Sequence, residues 1–208
     1  MPLFRGQTND YPLLPKISRK NWKNDTVLVE KKMLKELKRT ATPFLKSRIT
    51  NDWDWLALAQ HYGLATRLLD WTSNPLVALW FACINPTIQG EHSFVWAFIV
   101  PNEMILESKK SKSPFDSGLT SVFKPNLIHE RLVSQLGWFT LHKFSNKKNS
   151  FVPLEKNSNY KAHLISLRIP KGIRESMINQ LNICGVNSST IYQNMDGLCQ
   201  HINWKFSN

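Results

Sequence analysis

Hydrogen-bonding side chains are concentrated in one short segment of the chain, residues 60–72. Gln60, His61 and Tyr62 are consecutive, and Gly63 after them permits a turn with positive φ. Three polar side chains in one turn can donate hydrogen bonds to a phosphate or a carboxylate. For His61 the alternative is a structural histidine whose ring nitrogens are satisfied within the fold.

Arg67 and Asp70 are the unlike charges of this segment. Arg67 precedes two apolar leucines, so its guanidinium needs a partner if the segment is buried. One interpretation is a buried Arg67–Asp70 ion pair that holds the turn. The other is that Arg67 contacts a phosphate or a carboxylate of a ligand, and the two interpretations are compatible.

A second candidate cation, Arg5, lies in a short extended stretch at the start of the chain. Flexible Gly6 and polar Gln7 follow it, and this neighbourhood favours a ligand-binding Arg5 over a surface ion-pair residue. We therefore predict that this stretch and residues 60–72 fold together. Their guanidinium and hydroxyl groups would face a phosphorylated ligand in one pocket.

The elements that would position these residues are short helices and scattered strands. Helices cluster early and late, which favours an α+β fold over regular βαβ alternation. Asp25 or Thr26 can cap an amphipathic helix over residues 25–46, and Asn74-Pro75 begins an apolar, central helix. The other predicted elements are helices over 52–61, 173–184 and 189–202, a helical turn over 130–136, strands over 2–9, 93–100 and 163–169, and polar loops over 109–118 and 144–159.

Two predictions concern which side chains these elements bury. In the first helix the apolar stripe consists of Met33, Leu37, Ala41 and Phe44 or Leu45. In the strand over residues 163–169 the alternation predicts a half-buried strand. Its buried face would carry Ile165, Leu167 and Ile169.

Length and composition limit the class of protein. The 208 residues suit one domain over residues 1–208. No apolar run reaches the roughly 18 residues that a membrane helix needs. The first residues, Met1 to Arg5, lack a signal-peptide pattern. Three cysteines without a close pair argue against a disulfide framework and a zinc site. We expect a cytoplasmic protein without a membrane partner.

The charge distribution is strongly basic and uneven. The formal net charge is +12, with +8 over residues 1–50 and −3 over residues 51–100. A basic face beside a nearly neutral centre suits a polyanion such as DNA or RNA. The alternative is a merely solvated surface in a chain of lysine- and asparagine-rich composition. The dinucleotide, P-loop, hydrolase and zincin motifs are absent.

Several motifs together resemble the FRG domain family. In order, they are Phe4-Arg5-Gly6-Gln7, Leu56 through Leu64, Thr66 through Thr72 and Asn74 through Ala82. Arg131 through Gln135 with Gly137, and Met195 through Leu198, resemble the later motifs of that family. Ala65 stands where the family usually has proline.

The order of motifs is also similar to an ADP-ribosyltransferase. This resemblance implies a single α+β domain with a small split β-sheet flanked by helices, and NAD as substrate. Arg5 would hold the NAD phosphates together with Gln7, His61 and Tyr62. Thr72 would brace the site. Glu130 or Gln135 would lie near the ribose, and Arg67 is the remaining catalytic candidate.

Three functions follow from these expectations. The first is an ADP-ribosyltransferase that modifies a nucleic acid or another macromolecule, as a bacterial toxin or anti-phage effector with an antitoxin or immunity partner. The second is a non-catalytic module that binds nucleic acid. The third, a metal-dependent nuclease, is the least favoured because the sequence has no evident cluster of metal ligands.

Overall fold

The computed structural model describes residues 1–22, 25–45, 48–84, 90–106, 113–125 and 136–207. In these residues helices and strands are mixed, which confirms the α+β class. The eight strands are β1 (Pro2–Gln7), β2 (Leu68–Thr72), β3 (His92–Ile99), β4 (Ser121–Phe123), β5 (Gly137–Leu141), β6 (Phe144–Ser145), β7 (Ser150–Phe151) and β8 (Leu164–Pro170). The described α-helices are α1 (Thr26–Thr40), α2 (Asp52–His61), α3 (Pro75–Cys83), α4 (Arg174–Ile183), α5 (Ser188–Tyr192) and α6 (Met195–Ser207).

Local capping explains where the first three helices begin. The side chain of Asp25 accepts hydrogen bonds from the backbone at the start of α1. Asn51 does the same for α2, and Asn74 for α3, where Pro75 occupies the first helical position. These starts confirm the predicted ones. The first helix ends at Thr40, earlier than predicted, and Phe44 beyond it is largely exposed.

Six strands form one antiparallel sheet in the order β4-β5-β2-β1-β3-β8. β1 pairs with β3 along its whole length, and β2 pairs with β5 along its whole length. Between β1 and β2, which are both described throughout, the pairing consists of Phe4 opposite Thr72 alone. The sheet thus consists of two three-stranded halves joined at one point, which is the expected split sheet.

Helices cover the two halves separately. α1 and α2 pack on the β2–β5 half, with Trp53, Leu56 and Phe139 in a shared apolar cluster. α3 packs on the β1–β3 half together with α4, through Ala78, Val95 and Ile178 among others. None of the described helices is long and apolar enough to cross a membrane.

Gly6 allows α3 to approach β1 closely. A Cβ atom on Gly6 would lie 1.9 Å from the carbonyl oxygen of Ala78 and 2.6 Å from the amide nitrogen of Ala82. Both atoms belong to the backbone of α3, so neither can move aside as a flexible side chain could. The glycine beside Arg5 is therefore required for packing rather than for the flexibility that its position suggested.

Of the two interpretations of Arg67, the ion pair with Asp70 is wrong, because Arg67 pairs with Glu30 of α1. The Nε of Arg67 donates to Glu30 Oε2 at 2.7 Å, and its backbone N–H donates to Oε1 at 2.7 Å. Both side chains are buried, and the ring of Phe115 lies over the guanidinium. Burial raises the pKa of Glu30, and Arg67 opposes that rise.

This ion pair also explains why the predicted stripe of α1 was incomplete. The fully buried residues of the helix are Glu30 and Leu34. Met33 and Leu37 pack against the core only in part. A glutamate at a buried position cannot be recognised from hydropathy, since its partner Arg67 lies 37 residues further along the chain.

Two further predictions are corrected. The segment over residues 144–159 contains the β6–β7 hairpin, and Phe151 and Leu154 in it are buried. β8 is an edge strand, and α4 covers only Ile169. The residues Ile165 and Leu167 are consequently 54% and 56% exposed. The turn predicted over residues 130–136 lies, except for Leu136, outside the described residues.

We predict that replacing either partner of the buried ion pair alone destabilises the protein. Glu30→Leu and Arg67→Leu should each lower the free energy of unfolding by about 3–5 kcal/mol, since each leaves one buried charge without its partner. The double variant should lose less than the sum of the two. Urea denaturation measures all three. Glu36→Ala, in an exposed pair on the same helix, should leave the midpoint unchanged. Strict additivity of the two single losses would contradict a coupled pair.

The close approach of α3 to β1 is tested at Gly6. Gly6→Ala should lower the free energy of unfolding by about 3 kcal/mol, at the upper end of overpacking costs, because the new methyl group meets backbone atoms. Gly172→Ala is the matched control, since a Cβ there meets no atom within 4 Å. Thermal denaturation of the two variants should separate them clearly. Equal melting temperatures would show that α3 can move away without cost.

Candidate functional site

A cavity of about 330 Å³ opens where β1 and β2 separate. Its size is at the lower end of the roughly 300–1,000 Å³ range of ligand pockets. Its walls come from both strands, the end of α2 and one side of α3. The lining residues are Phe4, Arg5, Gly6, Gln60, His61, Asp70, Trp71, Thr72, Val77, Ala78, Phe81 and Phe139.

Arg5 holds the two separated strands together. Its Nη1 donates to the backbone carbonyl of Asp70 at 2.8 Å, and the same nitrogen lies 3.7 Å from Asp70 Oδ2. Its Nε is buried without an acceptor among the described residues. Burial lowers the pKa of the guanidinium, Asp70 raises it and Arg19 lowers it again. A buried N–H without an acceptor suits an anionic ligand.

Asp70 carries the carboxylate of the cavity. Its side chain is 57% exposed, so a ligand can reach it. The Nε2 of Gln60 donates to Asp70 Oδ2 at 2.9 Å, and the hydroxyl of Thr66 donates to Gln60 Oε1 at 2.6 Å. Thr66, Gln60 and Asp70 thus form a hydrogen-bonded chain that ends at the cavity. Among the described residues, Asp70 is the sole acidic residue in the lining.

The end of α2 places His61 in the same cavity. Gly63 follows with a φ of +81°, as predicted for this turn. Lys16 holds the turn, because its Nζ donates to the carbonyl of Gly63 at 2.6 Å. Tyr62 is 71% exposed and contacts the ring of His61 edge-on, but it does not line the cavity.

Thr72 lies where β2 ends and α3 begins. Its Oγ1 accepts a hydrogen bond from the backbone N–H of Asn74 at 3.0 Å, and Asn74 in turn caps α3. The hydroxyl therefore braces the turn between strand and helix. Because alternate residues of a strand share a face, Thr72 and Asp70 point to the same side of β2.

A buried polar chain fixes Trp71, whose ring packs with Leu3 and Phe98 on the face of β2 opposite to Asp70 and Thr72. Trp71 Nε1 donates to Thr140 Oγ1 at 3.2 Å, and Thr140 Oγ1 lies 3.1 Å from His142 Nε2. Burial lowers the pKa of His142 to about 3, with a further lowering from Arg5. The imidazole is consequently neutral near pH 7. A neutral ring can accept the Thr140 proton at Nε2, which leaves that hydroxyl oxygen to accept from Trp71.

The predicted site residues are thus only partly brought together. Arg5, His61 and Thr72 share the cavity, whereas Gln7 is buried beside it and accepts a hydrogen bond from Trp96 Nε1. Arg67 does not line the cavity and is held by Glu30 in the core. Glu130 and Gln135, the candidates for the residue near the ribose, lie outside the described residues.

The sequence predicted a site that includes residues 60–72 but assigned neither Gln60 nor Asp70 a role in binding NAD. Both belong to the segment rich in hydrogen-bonding side chains, and that was the available signal. Asp70 was assigned to Arg67, three residues away, whereas its cation is Arg5, 65 residues away. Within the described part of the chain, no group of three or more His, Cys, Asp and Glu residues could hold a metal ion.

The arrangement combines a guanidinium, a carboxylate, an imidazole and a hydroxyl around an aromatic and apolar cavity. Such a set can bind a phosphate group and can stabilise positive charge that develops beside the carboxylate. No curated protein and no solved structure matches the chain. The family model of the FRG domain matches residues 2–90, a range that includes Arg5, Gln60, His61, Asp70 and Thr72. Residues 2–90 are therefore similar to the FRG domain family.

Proposed function

We propose that the protein is an NAD-dependent ADP-ribosyltransferase that modifies a nucleic acid. The observation that carries this proposal is the meeting of Arg5 and Asp70 at one cavity between the halves of a split sheet. One cation and one carboxylate, both within reach of a ligand, match the two charges of NAD that matter for glycosyl transfer. These are the anionic pyrophosphate and the cation that develops on the ribose.

The size of the cavity supports a particular orientation of NAD. About 330 Å³ holds a nucleoside-sized part of the dinucleotide rather than the whole molecule. The apolar and aromatic lining from Phe4, Phe81 and Phe139 suits the nicotinamide ring. The pyrophosphate would then lie at Arg5.

The reaction would break the bond between C1′ of the ribose and N1 of nicotinamide. The bonding electron pair leaves with nicotinamide, and positive charge develops on the ribose. A carboxylate fixed beside the ribose stabilises that charge without reorganisation during the reaction. A nucleophile on the acceptor then attacks C1′, and its proton is lost.

A nucleic acid is proposed as the acceptor because of the charge around α1. Lys31, Lys32 and Lys35 are exposed on that helix, and no ion pair neutralises them within the described residues. Lys16 and Arg19 continue the positive surface toward the cavity. A transferase acting on nucleic acid would suit a bacterial toxin or anti-phage effector, and such a toxin would need an antitoxin or immunity partner.

The activity is tested with NAD labelled in the adenylate part, incubated with DNA or with RNA. We expect labelled nucleic acid together with one equivalent of released nicotinamide. Arg5→Ala should lower kcat/KM about 10²–10³-fold, because the phosphates lose a bidentate donor. Arg168→Ala, an exposed arginine on β8, should retain activity. Intact NAD and unlabelled nucleic acid with the folded wild-type protein would overturn the proposal.

The second candidate function is a nucleic-acid-binding module without catalysis, and the lysines of α1 favour it. In this case log K should fall steeply with log salt. Replacing Lys31, Lys32 and Lys35 with alanine should reduce the magnitude of the salt slope by about 2–3. Gel-shift titrations with an oligonucleotide at several salt concentrations measure this slope.

A triple variant of equal charge serves as the control for this experiment. Lys156, Lys161 and Lys171 are exposed elsewhere on the molecule. Their replacement by alanine should leave the slope close to that of the wild type. An equal reduction of the salt slope in both triple variants would mean that binding depends on the total charge rather than on a surface of α1.

A further inference from the structure

We infer that Asp70 is the catalytic carboxylate of the cavity, which stabilises the ribosyl cation and accepts the proton of the attacking nucleophile. This inference rests on the proposed transferase function and deepens it. The resemblance to ADP-ribosyltransferases implies that a late residue, Glu130 or Gln135, lies near the ribose. The described structure instead provides a carboxylate on β2, at the point where the sheet divides.

In the hydrogen-bonded chain of Thr66, Gln60 and Asp70, the donor and acceptor of each bond are fixed. Thr66 Oγ1 accepts a hydrogen bond from the backbone N–H of Leu68 at 3.1 Å, so its own proton is available for Gln60 Oε1. With its oxygen facing Thr66, the Gln60 amide must present its NH2 group to Asp70 Oδ2. The carboxylate is therefore held by a side chain that is itself fixed, as a reacting group requires.

The position of Asp70 relative to Arg5 fits the distance between phosphate and ribose. Arg5 Nη1 is bonded to the backbone carbonyl of Asp70 and lies 3.7 Å from its carboxylate. A pyrophosphate on the outer side of Arg5 would thus place the adjacent ribose near Asp70. Gln60 and Arg5 both contact the carboxylate at Oδ2, and the side chain is 57% exposed.

The contrast with Glu30 separates a structural acid from a reacting one. Both oxygens of Glu30 accept from Arg67, and the side chain is buried, so a ligand cannot reach it. Asp70 lies only three residues from Arg67, yet the two do not pair. The cation that would neutralise Asp70 locally is held by α1, and the exposed carboxylate remains available in the cavity.

The chemical step balances as follows. The C1′–N1 bond breaks, and its electron pair goes to nicotinamide, which leaves as a neutral molecule. The acceptor nucleophile donates an electron pair to C1′ and forms the new bond. Its proton passes to a carboxylate oxygen of Asp70 and then to solvent. No oxidant or reductant takes part, and the carboxylate is regenerated for the next turnover.

The test compares Asp70→Asn with the wild type in NAD turnover and NAD binding. The amide keeps the shape of the side chain, can still accept from Gln60, and leaves the backbone carbonyl bonded to Arg5. We expect kcat to fall about 10²–10³-fold, while the Kd for NAD changes less than about threefold.

Controls separate the failure of the inference from the failure of the proposed function. Asp10→Asn, an exposed aspartate outside the cavity, should behave as the wild type. Gln60→Ala should lower kcat about tenfold with little change in the Kd for NAD, since Gln60 positions the Asp70 carboxylate. Wild-type turnover with an equally active Asp70→Asn, or a variant that loses only NAD affinity, would overturn the inference alone. A folded wild type without turnover would overturn both.

Discussion

The site depends on the way β1 and β2 meet. The two strands pair at Phe4 and Thr72 and then separate, although each continues beside its other neighbour. A backbone carbonyl left without a strand partner needs another donor. For Asp70 that donor is the guanidinium of Arg5, which spans the gap between the halves of the sheet. The same contact that closes the sheet therefore places a cation at the mouth of the cavity.

The distribution of charges follows from the cost of burying them. Arg67 is enclosed by apolar residues and must be paired, and Glu30 reaches it from α1 with both carboxylate oxygens. This pairing anchors α1 to the segment that carries the site. It also leaves Asp70 without a bond to Arg67, the arginine nearest to it in the sequence. Asp70 is left with Arg5 and Gln60 as its polar neighbours, and both of these line the cavity.

Features that depend on neighbouring residues could be predicted from the sequence, whereas features that depend on distant ones could not. The caps at Asp25, Asn51 and Asn74 need only a side chain and the next turn of backbone. The Glu30–Arg67 pair joins residues 37 positions apart, and local spacing favoured Asp70 instead. The exposure of Ile165 depends on β8 being an edge strand, and alternation within one strand carries no information about its neighbours.

Within one motif, some residues serve packing and their neighbours contact the cavity. The two roles can therefore be tested by separate substitutions. In the Phe4-Arg5-Gly6-Gln7 stretch, Gly6 admits the backbone of α3, while Arg5 beside it faces the cavity. In the segment after α2, Arg67 points into the core, while Asp70 on the next strand is exposed. Alternation along a strand sends neighbouring residues to opposite faces. A motif can therefore be retained for stability at one position and for ligand contact at the next.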